Sequence, residues 1–233
     1  MLLGLLAGWA YTMHARKHAE PILNISLLKI QTFRTALLAG NLCRFSIGAT
    51  PYLLALLLQV GFGMSALAAG LITFAGAVGS LAMKIAAPRI LNRWGYRRVL
   101  TINAIFTGLS LMICASFTQE TPGLLMMAIL LLGGFFRSLQ FTAVNTLAYA
   151  DISQTDMSRA SSFAAMGQQL GISLGVGVAA ETVSICMSLR GSETISPQDV
   201  LIGFVVIGTL CSLAAISFWR LSPTAGASLR NKA

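Results

Sequence analysis

The sequence predicts an all-α integral membrane protein in which six transmembrane helices form one bundle, preceded by the tail of one further helix. Of its 233 residues, 56% are apolar and only 10% are charged, whereas soluble domains carry about 25% charged residues. The mean hydropathy is +0.78. This composition excludes a soluble enzyme, a disordered chain and a nucleic-acid-binding protein, despite the net charge of +9.

Six apolar segments approach or exceed the length of about 20 residues that a transmembrane helix needs. Short polar breaks separate them and leave no room for a soluble domain, so neighbouring helices should run antiparallel. The six-helix domain is predicted over residues 36–221, with helices at 36–60, 66–87, 99–118, 123–148, 159–188 and 199–220.

The two ends of the chain are predicted to lie outside this bundle. Residues 1–13 are apolar but fill only half a span, and Arg16 and Lys17 follow them. A signal peptide carries its charges before its apolar run, so 1–13 is interpreted as the end of a transmembrane helix whose start is missing. Residues 14–35 are predicted to be a cytoplasmic connector and 222–233 a cytoplasmic tail.

Lysine and arginine are distributed unevenly along the connections. With both ends of the bundle in the cytoplasm, twelve of the sixteen cations lie inside and only Arg190 lies outside. Such a bias is the positive-inside signal of multi-pass proteins. It predicts a bacterial inner-membrane protein that contacts the lipid bilayer, and it leaves Arg44, Lys84 and Arg137 within predicted spans.

Arg137 lies near the middle of the fourth span. A charge there costs roughly 2.5–3.5 kcal/mol on insertion scales and is tolerated where it faces the bundle interior or a watery cavity. On a helical wheel Arg137 shares a sector with Phe141 and Asn145, and Gln140 flanks that sector. These four residues are therefore candidate substrate-binding residues; the alternative is an arginine bonded to backbone carbonyls inside the bundle.

Arg44 lies on a small and polar face of the first span. That face continues through Pro51 to Gln59, at helical spacing. Arg44 and Gln59 are candidate cavity residues, and Pro51 should kink the helix and let it bend during transport. The alternative is a kinked packing helix with a snorkelling arginine. Lys84, at the end of the second span, is explained by snorkelling alone.

The fifth span carries a glycine stripe. Gly167, Gly171 and Gly175 make two successive GxxxG steps, which predict close helix packing. Gln168 lies beside the stripe and is a further candidate for lining a pathway. Glu181 is the only acid in the interior of a predicted span, since Asp199 stands at the start of the last one. Glu181 is placed near the outer surface, so no mid-depth carboxylate is available to Arg44 or Arg137.

The cationic segment between the second and third spans resembles a known signature. Asn92, Arg93, Gly95, Arg97 and Arg98 resemble the C-terminal copy of the major facilitator superfamily motif G-x-L-x-D-R-x-G-R-[KR]-R, with Asn92 at its Asp position. The resemblance implies that these five residues take part in conformational gating.

Four further segments are similar to the drug:proton antiporter-2 branch of that superfamily, the EmrB/QacA type, and within it to the MdtD/HsrA-like transporters. They are residues 21–28, 58–63, 140–147 and 168–176. The resemblance implies the C-terminal six-helix bundle of a multidrug efflux transporter. The missing N-terminal six-helix bundle would be its partner, a small amphipathic molecule its substrate and the proton gradient its energy source, with alternating access between the two bundles.

Two other classes remain open: a half-size membrane protein that acts only as an oligomer, and an inactive remnant or structural membrane subunit. An enzyme is not expected, because the sequence contains no HExxH and no clustered histidines or acids. No cofactor is expected either. The chain has no GxxxxGK[ST] phosphate loop for ATP, and its four cysteines lack metal-type spacing.

Overall fold

The computed structural model describes residues 25–230, in which six long helices form one bundle. The predicted helix end at 1–13 and the first half of the connector, residues 14–24, lie outside the described residues. All six helices are long and apolar enough to cross a membrane, and the described residues contain no strand. The helices are α1 (Gln31–Ala55), extended by a π-helical turn (Leu56–Gly61), α2 (Ala66–Trp94), α3 (Tyr96–Cys114), α4 (Gly123–Ala148), α5 (Met157–Leu189) and α6 (Pro197–Trp219), followed by the short α7 (Ala227–Arg230).

The junction of α2 and α3 differs most from the predicted boundaries. Instead of a polar break at 88–98, α2 continues as a helix to Trp94 with Pro88 inside it, and only Gly95 separates it from α3. Gly95 ends α2 because its φ of 77° is rarely adopted by residues with a side chain. Its N–H donates to the Leu91 carbonyl at 3.0 Å. The arginines of this segment thus mark the edge of the apolar span and not the end of the helix.

Other helix ends follow local capping chemistry. The Ser65 hydroxyl accepts the N–H of Ala68 at the start of α2. At the start of α6, Ser196 and Asp199 form a capping box with Pro197 in the first turn.

Helix α1 begins at Gln31, earlier than the predicted residue 36, and continues through Pro51.

The helices pair in a symmetric pattern. Helix α2 packs chiefly on α4, α1 on α5 and α3 on α6. Exchanging the first three helices with the last three maps this pattern onto itself. With antiparallel neighbours, that is the arrangement of two inverted three-helix repeats.

Glycines bring each of the three pairs into backbone contact. A Cβ atom at Gly134 would overlap the carbonyl oxygen of Gly76, between α4 and α2, and one at Gly175 would overlap the carbonyl oxygen of Phe45, between α5 and α1. Gly108 and Gly208 meet in the same way between α3 and α6. Small residues allow such approaches between membrane helices.

The predicted glycine stripe of α5 lies on α1. A Cβ at Gly167 would overlap the side chain of Leu37, and one at Gly171 would lie 2.8 Å from the Asn41 side-chain oxygen. Together with Gly175, both glycines face α1 along its length.

The two ends of the bundle differ in charge. One end, called the basic end below, contains the start of α1, the α2–α3 junction, the α4–α5 connection and the end of α6. Gln31 donates to the Arg220 carbonyl there, and Thr32 donates to Asp151. At the opposite end Arg190 forms an ion pair with Asp199 at 2.6 Å.

The close approach of α2 and α4 predicts that one methyl group added at this contact destabilises the protein. Gly134→Ala should lower the melting temperature of the detergent-purified protein by about 3–10 °C, because overpacking costs about 1–3 kcal/mol. Gly70→Ala is the matched control on α2, since a Cβ there meets nothing within 4 Å, and it should not lower the melting temperature. Equal changes in the two variants would contradict the packing argument.

Candidate functional site

A crevice of about 420 Å³ opens between α1, α2 and α4. Polar and apolar side chains alternate on its walls, and two cations but no carboxylate line it. The lining residues are Ile47, Thr50, Pro51 and Leu54 from α1, Thr73, Ser80 and Lys84 from α2, and Arg137, Ser138 and Phe141 from α4.

Arg137 is one of the two cations that line this crevice. Its side chain is half-buried, and within the described part of the chain its guanidinium has no hydrogen bond or ion pair. Its Nη2 lies 3.5 Å from the position that a Cβ on Gly76 would take, so glycine leaves it space. A desolvated cation without a partner is costly, so the guanidinium of Arg137 has unused hydrogen-bond donors facing the crevice.

The wall between α2 and α4 is held by serine hydroxyls. Ser80 donates to the carbonyl of Gly134 at 3.0 Å or to that of Gly76 at 2.9 Å, and Ser138 donates to the carbonyl of Ser80 at 2.8 Å. The glycine contacts of this pair bring the backbones close enough for these bonds. The crevice therefore has one wall of fixed geometry beside Arg137.

The side chain of Arg44 is less exposed than that of Arg137, with 4% of its surface accessible. Its Nη1 donates to Asn41 at 3.1 Å, and its Nη2 donates to Asn145 on α4 at 2.7 Å. Its Nε is buried without a partner among the described residues. Arg44 and Arg137 also border a small cavity of about 10 Å³, which is at the lower limit for one water molecule.

Gln140 links helices inside the bundle and does not line the crevice. Asn103 of α3 donates to its Oε1 at 2.8 Å, and its Nε2 donates to Cys43 and to the Leu100 carbonyl. Gln140 is 2% exposed and borders only the small cavity beside Arg137. Its position between α1, α3 and α4 is that of a packing residue.

The predicted polar face of α1 is divided by the fold. Gly48 packs against α5, where a Cβ would overlap the Ile172 carbonyl. Pro51 lines the crevice, whereas Gln59 is exposed on the π-helical turn and outside it. Gln168 is half-buried on α5 and also lies outside the crevice.

Of the three arginines in the motif between α2 and α3, one contacts α6 and the other two are exposed. Arg97 Nε donates to the Trp219 carbonyl of α6 at 3.0 Å, and its guanidinium lies 4.7 Å above the Trp219 ring. Arg93 and Arg98 are exposed, and Asn92 is half-buried. Arg97 thus ties the start of α3 to the end of α6.

Lys84, Ser80 and Thr73 are crevice residues that the sequence reasoning missed. Snorkelling does not predict a place for Lys84 in the crevice, but Lys84 lines it together with Arg137. A signal was present, because these residues recur at spacings of seven and four along α2, which places them on one helical face.

The acids of the described residues lie away from the crevice. Glu181 is exposed on α5, and the others lie in connections or at helix ends. The part of the chain that the structure describes contains no group of three or more metal-ligating side chains.

Six membrane-length helices in two inverted repeats, with a crevice between three of them that two cations line, define a multi-pass membrane protein of the transporter class. The family model of the Major Facilitator Superfamily matches residues 36–233. The chain therefore belongs to the Major Facilitator Superfamily, as the arginine-rich motif indicated.

Its relatives include probable transport protein HsrA of Haemophilus influenzae, 29% identical over 230 residues, with 99% of this chain and 50% of the relative covered. The putative multidrug resistance protein MdtD of Escherichia coli is 31% identical over 215 residues, covering 91% and 44%. MdtD of Pectobacterium atrosepticum is 32% identical over 223 residues, covering 95% and 48%. These matches confirm the resemblance to the MdtD/HsrA-like branch, and the chain spans about half the length of these relatives.

The contact between Arg44 and Asn145 predicts a measurable coupling. Asn145→Leu leaves the buried guanidinium with Asn41 alone, so it should destabilise strongly, whereas Asn145→Leu in an Arg44→Met background should cost little. A double-mutant cycle on the free energy of unfolding should give a coupling of about 1.5–3 kcal/mol.

The control cycle combines Arg44→Met with Gln59→Leu. Gln59 is exposed and far along α1, so these two changes should be additive. Additivity in the Arg44–Asn145 cycle would contradict the inferred contact.

Proposed function

We propose that this chain is the C-terminal six-helix bundle of a proton-driven multidrug efflux transporter. The observation that carries the proposal is the crevice between α1, α2 and α4, which the unpaired Arg137 lines. Membership of the Major Facilitator Superfamily favours transport over catalysis. The printed names of the relatives, a probable transport protein and a putative multidrug resistance protein, suggest amphipathic small molecules as substrates.

A second six-helix bundle would complete the transport path. The crevice is open to the outside of this bundle, and the chain spans about half the length of its relatives. In alternating access two bundles rock about a site near the membrane midplane. Since the crevice contains no carboxylate, the acids that carry protons would come from the partner bundle.

The crevice residues have distinct roles in this proposal. Arg137 and Lys84 attract negative or strongly polar groups, and Phe141 offers an adaptable apolar surface. Pro51 removes one backbone hydrogen bond of α1 at the crevice wall, where a bending helix would alter the opening. Arg44 is a positioning residue, because it joins α1 to α4 behind the crevice through Asn145.

Two cations without a lining acid favour anionic or neutral substrates over cationic dyes. Arg137→Gln should raise KM for efflux of an anionic amphiphile about tenfold or more, since hydrogen bonds to charged groups contribute about 1.5–3 kcal/mol. Efflux is measured in proteoliposomes with the full-length protein and an imposed proton gradient. Arg89→Gln is the control, because Arg89 is exposed and lies outside the crevice.

The outcomes separate the proposal from its alternatives. A selective loss of cationic-dye efflux in Arg137→Gln would contradict the charge preference. Cross-linking of two copies of this bundle, with transport retained, would favour the half-size oligomer. If no amphiphile showed proton-dependent efflux, the result would favour an inactive remnant or a structural membrane subunit.

The proposed location is the bacterial inner membrane, with the basic end in the cytoplasm. In a Cys186→Ser background, Glu193→Cys at the opposite end should react with a membrane-impermeant maleimide in intact spheroplasts. Ser222→Cys at the basic end should react only after permeabilisation; both positions are exposed. The reverse pattern would overturn this orientation.

A further inference from the structure

A second cleft, of about 530 Å³, lies at the basic end of the bundle. Arginines and tryptophans dominate its walls. The lining residues are Arg93, Trp94, Gly95, Arg97 and Arg98 around the α2–α3 junction, and Trp219 and Pro223 at the end of α6.

The arginines of this cleft have no acidic partner. Among residues 25–230, no carboxylate forms an ion pair with Arg93, Arg97 or Arg98. Arg97 is held in place by the carbonyl and ring of Trp219, so one guanidinium has a fixed position.

Trp94 also lines an apolar groove of about 180 Å³. Helices α2, α3 and α4 form its walls, and the stacked rings of Phe106 and Phe136, 5.3 Å apart, lie along it. The groove is also lined by Met83, Ile90, Val99, Ile102, Asn103, Phe135 and Leu139.

The groove extends along α3 by about the thickness of one lipid leaflet. Phe106 lies ten residues beyond Tyr96, the first residue of α3, which is about 15 Å along the helix axis. The hydrocarbon core is about 30 Å thick, so one leaflet is about 15 Å deep. Trp94 and Trp219 are 58% and 61% exposed, and exposed tryptophans are typical of the membrane interface.

We infer that the cleft and groove together bind one anionic phospholipid, such as phosphatidylglycerol or cardiolipin. Its phosphate contacts Arg93, Arg97 and Arg98, and one acyl chain occupies the groove beyond Trp94. Charge complementarity selects the anionic headgroup, and the apolar groove distinguishes a lipid from a small anion. This lipid would brace the junction of α2 and α3 against α6, and the inference does not depend on the transported substrate.

The test uses the delipidated full-length protein in an uncharged detergent, with lipid binding followed by native mass spectrometry. Phosphatidylglycerol and cardiolipin should bind saturably, whereas phosphatidylethanolamine and inorganic phosphate at equal concentration should not. Removing two surface charges by Arg93→Gln with Arg98→Gln should weaken phosphatidylglycerol binding about 10- to 30-fold.

The matched control is Arg34→Gln with Arg89→Gln. It removes the same charge from exposed positions outside the cleft, and it should leave binding unchanged. Ile102→Trp keeps every charge but fills the groove, so it should reduce binding of long-chain phosphatidylglycerol. Equal weakening by both arginine pairs, or no effect of Ile102→Trp, would overturn the lipid site. Equally tight binding of inorganic phosphate would replace it with a small-anion site.

Discussion

The bundle depends on one constraint: a polar group at membrane depth must find its partner inside the protein, because lipid tails offer none. Arg44 meets it through Asn41 and Asn145. Asn103 donates a hydrogen bond to Gln140, and Ser80 donates one to a backbone carbonyl of α4. Among the described residues, the guanidinium of Arg137 has no such partner, and it borders an open crevice. The Nε of Arg44 and the hydroxyl of Ser212 are also buried without a partner, but neither residue lines that crevice. This position beside the crevice is the reason why Arg137, and not Arg44, is proposed to bind substrate.

Close packing and internal hydrogen bonding depend on each other here. Glycines let paired helices meet at their backbones, and this approach brings hydroxyl groups within reach of carbonyls on the neighbouring helix. Between α2 and α4, the contact of Gly76 with Gly134 and the bonds of Ser80 and Ser138 lie side by side. One wall of the crevice is therefore rigid, while α1 on another side carries Pro51. A crevice with one fixed and one deformable wall suits the proposed rocking motion.

Arginines without an acidic partner occur both at the basic end and within the bundle, and their surroundings differ. At the basic end, Arg93, Arg97 and Arg98 lie beside exposed tryptophans and an apolar groove. These surroundings suit the headgroup and chain of a lipid. Arg137 instead lies within the bundle, among hydroxyl groups and Phe141, which suits a soluble amphiphile. Arginine is therefore proposed to bind a lipid headgroup at one site and an amphiphile at the other, because the residues around it differ.

Apolar content by itself determined the six spans, since each has to cover the bilayer thickness, and the motif around Arg93 indicated the superfamily. The helical spacing of Arg137 and Phe141 also placed them on one face of α4. Only the tertiary structure decided that Gln140 turns toward Asn103, that Lys84 enters the crevice and that Arg97 holds α6. The physical reason is that both faces of a membrane helix are apolar, so its rotation is set by the neighbours that it packs against.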